Sequence, residues 1–246
     1  MSRPFSSRDY TGGYRSLRLF NAYQTRAEIT NAAQTGLSPT GDFTIEAWIK
    51  LRNKIPVSGF YSFVTKYLNP SDQSFIFAYQ DFAGVPSIQM YVSGNGTDFD
   101  RAYYTTDLPI GAWFHLAVVV DISELVSTTE ITFFIDGVNK GNGIVGTTAA
   151  SSFTSMYSGA ADFEIGTFSD ANALDGQIDD VRMWSDIRTD AEIRDNMLTE
   201  LVGDEANLEG YWKLNGDLLD STVNENHLTA AGTILPVFDK SGGVDV

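Results

Sequence analysis

Apolar and polar residues alternate with a period of two along most of this chain. In residues 43–50 (FTIEAWIK) the odd positions are apolar, and all but one of the even positions are polar. Residues 88–92 and 131–135 repeat the pattern. Because successive side chains of a β-strand point to opposite faces, these segments are predicted to be strands with one buried face. Residues 113–120 are more continuously apolar, which indicates a central strand covered on both faces.

Turn residues separate these segments from further strands. Asp136-Gly137 suits the positive φ angles of a tight hairpin turn, so a returning strand is expected to begin at Val138. The Gly- and Ala-rich residues 141–150 are predicted to form a loop. The other strands are predicted at residues 16–20, 62–66, 75–79, 162–165, 176–184 and 209–214.

One short helix is predicted near residues 189–198. Thr189 and Glu192 have the spacing of a capping box, in which each side chain satisfies a free backbone N–H at the helix start. Ile193 and Met197 then lie four residues apart on one helix face. Many short strands, frequent turns and one helix indicate an all-β fold, an antiparallel two-sheet sandwich.

The chain is predicted to contain a single domain. Its 246 residues are within the range of one antiparallel sandwich, and no composition change marks a second domain. The domain is assigned to residues 16–235, between an N-terminal arm (1–15) and a C-terminal tail (236–246). The arm carries a cluster of three arginines in an acidic chain, Arg3, Arg8 and Arg15.

Composition excludes several classes of function. The chain has 16 basic and 32 acidic residues, a net charge of −16, and no basic stripe that would bind nucleic acid. There is no cysteine for a disulfide or a thiolate metal site. No apolar run approaches the roughly 18 residues of a membrane span, and the start of the sequence lacks the apolar core of a signal peptide. The expected location is a virion surface or another extracellular surface, reached by another route.

Six motifs in chain order carry a resemblance to a known family. They are SLRLF (16–20) with AEI (27–29), FTIEAWI (43–49), WFHLAVVVD (113–121), FIDG (134–137), GQIDDVRMW (176–184), and GYWKL (210–214) with DSTVNENH (220–227). Together they resemble the laminin G-like, concanavalin A-like lectin-glucanase family over residues 16–232. The resemblance implies a jelly-roll sandwich and a module that binds glycans, proteins or cell surfaces.

The resemblance also implies a structural calcium ion near the late strand and the Asp-Ser-x-x-Asn-x-Asn loop. Calcium binds carboxylate and carbonyl oxygens, which Asp220, Asn224 and Asn226 could supply. Asp179 is the fourth candidate ligand, because strand alternation places it on the face of Val181. The alternative is that Asp220 and the two asparagines form a tight turn through side-chain hydrogen bonds, without a metal ion.

Catalysis is not expected. The two histidines, His115 and His227, are interpreted as packed residues, and no nucleophile motif surrounds any serine. Glycoside hydrolysis needs two carboxylates that face one sugar, and the Glu-x-Asp-x-Glu spacing of sandwich glucanases is absent. Glu164 has no second carboxylate at that spacing, although carboxylates from distant strands could still meet.

Glycan binding would use aromatic side chains that stack on sugar faces, together with polar neighbours. Such aromatic residues are expected on loops, with a place in the core as the alternative for each of them. The candidates are Phe82, Asn95, Asp98, Tyr103, Tyr104, Tyr157 and Phe168.

Three functions are compatible with these features. The first is a non-catalytic surface module, such as a virion decoration or attachment protein, with protein neighbours or further copies of itself as partners. In it, the arm with Arg3, Arg8 and Arg15 would contact an acidic neighbour. The second is a calcium-dependent, carbohydrate-binding, lectin-like module. The third is a glycoside hydrolase or lyase.

Overall fold

The structure, a computed structural model, describes residues 15–68, 70–122, 130–147, 155–168, 172–233 and 235–240. Its strands are β1 (Arg15–Leu19), β2 (Arg26–Ile29), β3 (Phe43–Leu51), β4 (Phe60–Leu68), β5 (Asp72–Phe82), β6 (Val85–Val92), β7 (Asp100–Thr105), β8 (Trp113–Asp121), β9 (Glu130–Ile135), β10 (Val138–Asn142), β11 (Ile144–Thr147), β12 (Phe163–Ile165), β13 (Gly176–Trp184), β14 (Leu208–Trp212), β15 (Thr229–Ala231) and β16 (Val237–Lys240). One α-helix, α1, spans Asp190–Asn196.

The strands form two antiparallel sheets that pack face to face. The first sheet has the order β10-β9-β8-β3-β13-β1-β16, with β14 paired to β13. The second sheet has the order β11-β7-β6-β5-β4-β12-β2-β15. This architecture confirms the all-β, two-sheet jelly roll predicted from the alternating pattern.

The core between the sheets consists of the apolar positions of that pattern. Ile45, Ala47 and Ile49 of β3 face it from the first sheet, and alternate residues of β5 face it from the second. Aromatic rings join the layers: the Phe163 and Trp212 rings stack with centroids 5.0 Å apart. The period of two therefore marks which residues are buried as well as which segments are strands.

The turn predicted at Asp136-Gly137 is confirmed. Both residues have positive φ, 51° and 69°, and β10 begins at Val138. This conformation matches the right-handed twist of the two flanking strands. A Cβ atom at Gly137 would also lie 3.0 Å from the Cα atom of Arg194, so the hairpin needs glycine for its contact with the helix.

The predicted loop at 141–150 is wrong in part, because it includes β11. The chain leaves the first sheet after β10 and joins the second sheet, where β11 pairs with β7. Gly143 lies at this crossing, and a Cβ atom there would come within 2.6 Å of the Phe133 ring. Gly143, one of the glycines that suggested a loop, instead permits a close passage between the sheets.

The ends of the domain also differ from the prediction. Four residues of the predicted tail form β16, which pairs with β1 in the register Arg15 to Lys240. Arg15, assigned to the arm, is therefore the first residue of β1 and is exposed. The predicted arm residues Arg3 and Arg8, and tail residues 241–246, lie outside the described residues.

A β-bulge in β13 overturns the predicted orientation of Asp179. Ile178 and Val181 both face the core although they lie three residues apart, and Asp180 between them has a φ of 47°. The register with β3 shifts at this point, and Asp179 pairs with Trp48, on the outer face of the first sheet. Asp179 and Val181 therefore lie on opposite faces, because the extra residue breaks the alternation.

The helix begins as predicted. Thr189 caps it, and the reciprocal hydrogen bonds with Glu192 form a complete capping box. Ile193 is buried against Val119 and Phe134, so α1 covers the outer face of β8 and β9. This explains why β8 is apolar on both faces. Within the described part of the chain, no helix has the length and apolar composition needed to span a membrane.

A buried charged network lies beneath this helix. Glu46 accepts a hydrogen bond of 2.8 Å from the indole N–H of Trp184, and its other oxygen lies 3.2 Å from His115 Nε2. Arg182 Nη1 lies 3.8 Å from Glu46 Oε1, and all four side chains are almost completely buried. His115 is thus a buried residue that pairs with Glu46, in agreement with its interpretation as a packed residue.

Arg182 also holds the segment that follows α1. Its guanidinium donates hydrogen bonds to the carbonyl oxygens of Asn196, at 3.0 Å, and Thr199, at 2.6 Å. Nearby, the indole N–H of Trp48 donates to the carbonyl of Met197. These bonds satisfy carbonyls at the helix end that have no partner within the helix.

We expect Glu46→Gln to show a pH-dependent loss of stability. Burial raises the pKa of Glu46, but its hydrogen bonds with His115 and Trp184 and the charge of Arg182 lower the pKa by more. The net result is a pKa below the ordinary value of 4.5. The ionised carboxylate therefore stabilises the fold above that pH, and the contribution is lost as the pH falls through the folded-state pKa.

At pH 7 we expect Glu46→Gln to lower the free energy of unfolding by about 2 kcal/mol, the range for hydrogen bonds to a charged group. The difference from wild type should narrow below pH 4.5, where the unfolded wild-type chain takes up a proton. Urea unfolding at pH 7, 5 and 3 measures this. A difference that stays constant over the three pH values would contradict it.

Candidate functional site

A hairpin between two inner strands of the second sheet exposes apolar side chains. The two-residue turn Ala83-Gly84 between β5 and β6 has positive φ at both positions, 55° and 88°. Phe82 and Val85 flank this turn, are paired across the hairpin, and are 60% and 49% exposed. The described contacts of the fold do not bury these two side chains, so they are available to a ligand.

A cavity of about 230 Å³ lies beside this hairpin, on the outer face of the second sheet. Strands β5, β6 and β7 provide its lining. In their register Gln89 pairs with Tyr103 and Tyr91 pairs with Arg101, so these side chains share the face opposite the core. The lining residues are Phe82, Val85, Ser87, Gln89, Arg101 and Tyr103.

Arg101 lies between two aromatic rings of this cavity. Its guanidinium carbon is 5.4 Å from the centroid of the Phe82 ring and 5.3 Å from that of the Tyr103 ring. Both distances are within the range of a cation–π contact, in which the cation is attracted to the ring face. The two rings therefore fix the position of a positive charge in the cavity.

The polar floor of the cavity is fixed by hydrogen bonds. Gln89 Nε2 donates to Ser87 Oγ at 2.8 Å, and Gln89 Oε1 lies 2.7 Å from the hydroxyl oxygen of Tyr91. The same hydroxyl lies 2.7 Å from Gln80 Oε1. Burial raises the pKa of Tyr91, although Arg101 opposes the shift, so the hydroxyl stays protonated at neutral pH.

Phe168 and Tyr104, two of the predicted ligand contacts, have packing roles. The half-buried Phe168 ring lies 5.4 Å from Phe60 and 5.2 Å from Tyr67, in an aromatic cluster on the outer face of the second sheet. Tyr104 is on β7, not on a loop as predicted, and it packs against the central core. Strand alternation separates it from Tyr103, which faces the cavity.

Asn95, Asp98 and Tyr157 form a separate group at the other end of β6. Asn95 Oδ1 accepts hydrogen bonds from the backbone N–H groups of Thr97 and Asp98, and its amide donates to Asp98 at 3.0 Å. The Tyr157 ring covers Gly96, where a Cβ atom would be 2.6 Å from the ring. The seven candidates therefore do not converge on one site; Phe82 and Tyr103 alone line the cavity.

Ser87, Gln89 and Arg101 line the cavity but were not among the residues predicted to bind a ligand. They alternate with the core residues of β6 and β7, which marks them as outward-facing. The pattern within one strand does not give the register between strands. The register pairs Arg101 with Tyr91 and Gln89 with Tyr103, and the long Arg101 side chain then reaches the Phe82 ring.

A pair of carboxylates also lies on the outer face of the second sheet. Glu164, for which the sequence showed no nearby acidic partner, is paired with Glu28 across β12 and β2. Arg26 Nε lies 2.5 Å from Glu28 Oε2 and 3.2 Å from Glu164 Oε1. Glu164 thus meets a carboxylate from another strand, the possibility left open from the sequence, and one guanidinium forms ion pairs with both carboxylates.

The Asp220 loop has the geometry of a hydrogen-bonded turn. Asp220 Oδ1 accepts bonds from the backbone N–H groups of Tyr211 and Thr222, and Oδ2 accepts from Thr222 Oγ1 and the Asn226 N–H. These four donors occupy both carboxylate oxygens. They correspond to the alternative that sequence analysis gave for this loop.

The other predicted metal ligands have similar contacts. The side-chain amides of Asn224 and Asn226 both donate to the carbonyl oxygen of Glu209, and Asn226 Oδ1 accepts from the Thr35 N–H at 2.7 Å. His227 Nδ1 accepts from the Asp220 N–H. In the ranges that the structure describes, no three acidic or histidine side chains are grouped so that they could share a metal ion.

Comparisons with known proteins agree with this architecture. The family model described as the concanavalin A-like lectin/glucanases superfamily matches residues 21–194. A comparison with curated protein sequences finds no match. One similar structure is a candidate carbohydrate binding protein from Bacteroides ovatus, at 16% identity and a TM-score of 0.60, covering 97% of this chain and 61% of that one.

Two other solved structures share the fold. A heptameric SAP-like pentraxin from Limulus polyphemus has a TM-score of 0.58 at 13% identity, covering 92% of this chain and 97% of that one. The enzymatically active domain of tailspike protein 2 from bacteriophage CBA120 has a TM-score of 0.56 at 19% identity, covering 85% of this chain and 31% of that one. The family match spans most of the sandwich, and the chain belongs to the concanavalin A-like lectin/glucanase superfamily.

Proposed function

We propose that this chain is a non-catalytic carbohydrate-binding module and that the cavity on the outer face of β5, β6 and β7 is its binding site. The observation that carries the proposal is the combination of exposed aromatic walls with a polar floor held by hydrogen bonds. Similar proteins include a candidate carbohydrate binding protein, which is consistent with this role.

The chemistry of the lining suits a sugar. A sugar ring has an apolar C–H face, which can stack on the Phe82 or Tyr103 ring, and a rim of hydroxyl groups. The hydroxyls can exchange hydrogen bonds with Gln89 and Ser87, whose positions are already fixed. The volume of about 230 Å³ is below the range of about 300–1,000 Å³ for drug-sized ligands, so it suits one sugar ring of a longer chain.

The acidic residues nearby support binding without hydrolysis. None of the six described lining residues is a carboxylate. The Glu28 and Glu164 carboxylates lie elsewhere on the face, and both are in ion pairs with Arg26. A hydrolase would need one carboxyl group to donate a proton and another to act as nucleophile or base on the same sugar.

A surface-attachment role is compatible with this proposal. A tailspike domain of a bacteriophage shares the fold, and a module that binds glycans could attach a virion or another extracellular assembly to a cell surface. The protein neighbours or further copies expected from the sequence would then hold the module, while the outer face of the second sheet stays free. In this role the protein acts outside the cell.

A glycan array tests the proposed function. We expect the wild-type chain to bind a subset of printed glycans, with equal signals in calcium and in a chelator, because donor groups saturate Asp220. Bound glycans should remain intact after prolonged incubation. If no glycan on the array binds, the proposal is contradicted. Release of shortened glycans would contradict its non-catalytic part.

A further inference from the structure

Arg101 is the one charged side chain among the six residues that line the cavity. The chain as a whole carries a net charge of −16, so its overall field does not favour an anionic ligand. Salt screens that field over about 8 Å at physiological ionic strength. Inside the cavity, the nearby positive charge of Arg101 therefore has more effect on a ligand's charge preference than the net charge of the chain.

Arg101 differs from most other described arginines in its contacts with carboxylates. In the described part of the chain, no carboxylate lies within 4.0 Å of its guanidinium. Six other described arginines each have a carboxylate at or within that distance. They are Arg18, Arg26, Arg52, Arg182, Arg188 and Arg194. Among the described residues, the charge of Arg101 thus has no carboxylate partner and can pair with a ligand.

The cation–π contacts leave hydrogen-bond donors available. The Arg101 guanidinium lies over the Phe82 and Tyr103 rings and shares a hydrogen bond with the Tyr91 hydroxyl, which uses only part of its five N–H donors. The remaining donors of the planar guanidinium can bind a carboxylate, which accepts two parallel hydrogen bonds. The rings hold the group in place, so little side-chain freedom is lost when a ligand binds.

From these observations we propose that the ligand is a sugar that bears a carboxylate, such as a uronic or sialic acid residue, with the carboxylate on Arg101. The inference rests on the proposed function and names the ligand class for the same cavity. The sugar ring stacks on an aromatic wall, its hydroxyls face Gln89 and Ser87, and its acid group pairs with the guanidinium.

The test uses an array that carries sialylated oligosaccharides, uronic acid oligosaccharides, the carboxyl-reduced form of each, and sulfated glycans without a carboxylate. We expect wild type to bind at least one carboxylate-bearing glycan at least about tenfold more tightly than its reduced form, since charge-assisted hydrogen bonds are the strong ones. Preference for the reduced forms, for other neutral glycans or for the sulfated glycans would overturn the inference.

Two variants locate the preference on Arg101. We expect Arg101→Gln to lose at least about tenfold in affinity for the acidic glycan, and to lose much less for the reduced form. Arg101→Lys should recover part of the loss, because it keeps the charge without the planar fork. Arg194→Gln, which changes an exposed arginine beside Asp195, is the matched control.

The outcomes separate the two proposals. If neutral glycans bind in this cavity and Arg101→Gln changes nothing, the carbohydrate-binding function stands and the acidic-sugar inference falls. If no glycan binds, both fall. Thermal unfolding of each variant confirms that the comparison is between folded proteins.

Discussion

Arg182→Met is expected to lower the free energy of unfolding by about 3–5 kcal/mol, the range for removal of one partner from a buried ion pair. The substitution leaves the Glu46 carboxylate buried with one cation fewer and removes the donors to the Asn196 and Thr199 carbonyls. The segment after α1 then loses its two hydrogen bonds from β13 and keeps the one from Trp48 to the Met197 carbonyl. Urea unfolding followed by tryptophan fluorescence measures the change.

Arg194→Met is the control for this substitution. Arg194 is in the same helical region, but its side chain is 56% exposed and its ion pair with Asp195 is at the surface. Exposed ion pairs contribute about 0–1 kcal/mol, so this variant should unfold close to wild type. Equal stability of the two variants would show that the buried network does not hold the helix on the sheet.

The double variant Phe82→Ala, Tyr103→Ala is expected to weaken glycan binding by at least about 100-fold. Aromatic side chains at the centre of a binding site often contribute 2 kcal/mol or more each, and each 1.4 kcal/mol is a factor of ten in affinity. The two rings also hold Arg101, which loses both stacking contacts. Titration calorimetry with a glycan bound by the wild type measures the effect.

The fold should tolerate this double substitution, since Phe82 is 60% exposed and both residues lie on the outer face of the sheet. Tyr23→Ala is the matched control: Tyr23 is an aromatic residue with 42% exposure that does not line the cavity. We expect it to bind glycan like wild type. Unchanged affinity in the double variant would place the binding site elsewhere on the protein.

The strands were predictable where local patterns determine them. The alternation in β3 identified both the strand and its buried face, and Asp136-Gly137 identified the hairpin, because each depends on neighbouring residues alone. The capping box identified the start of α1 for the same reason. The bulge at Asp180 was not predictable in this way, since a single residue in a left-handed conformation shifts the alternation of the rest of β13.

The candidate site was predictable only in part because it depends on contacts between strands. Phe82 and Tyr103 were chosen as aromatic residues, and both line the cavity. Arg101 and Gln89 were missed for two reasons. The position of Gln89 opposite Tyr103 depends on the register of β6 and β7, which no single segment encodes. The contacts of Arg101 with Phe82 and Tyr103 depend on the conformation of its long side chain. The Asp220 loop shows a related limit: its residue types suit either calcium or a turn, and the sequence does not show that Tyr211 and Asn226 both donate to Asp220.

Amide chemical-shift mapping with the glycan that binds most tightly on the array tests the central claim most directly. The claim is that the outer face of β5, β6 and β7 holds the sugar. We expect the largest shift changes at Phe82, Gln89, Arg101 and Tyr103, with little change around Asp220. Largest changes at the opposite end of β6, around Asn95, or on the first sheet would contradict the account.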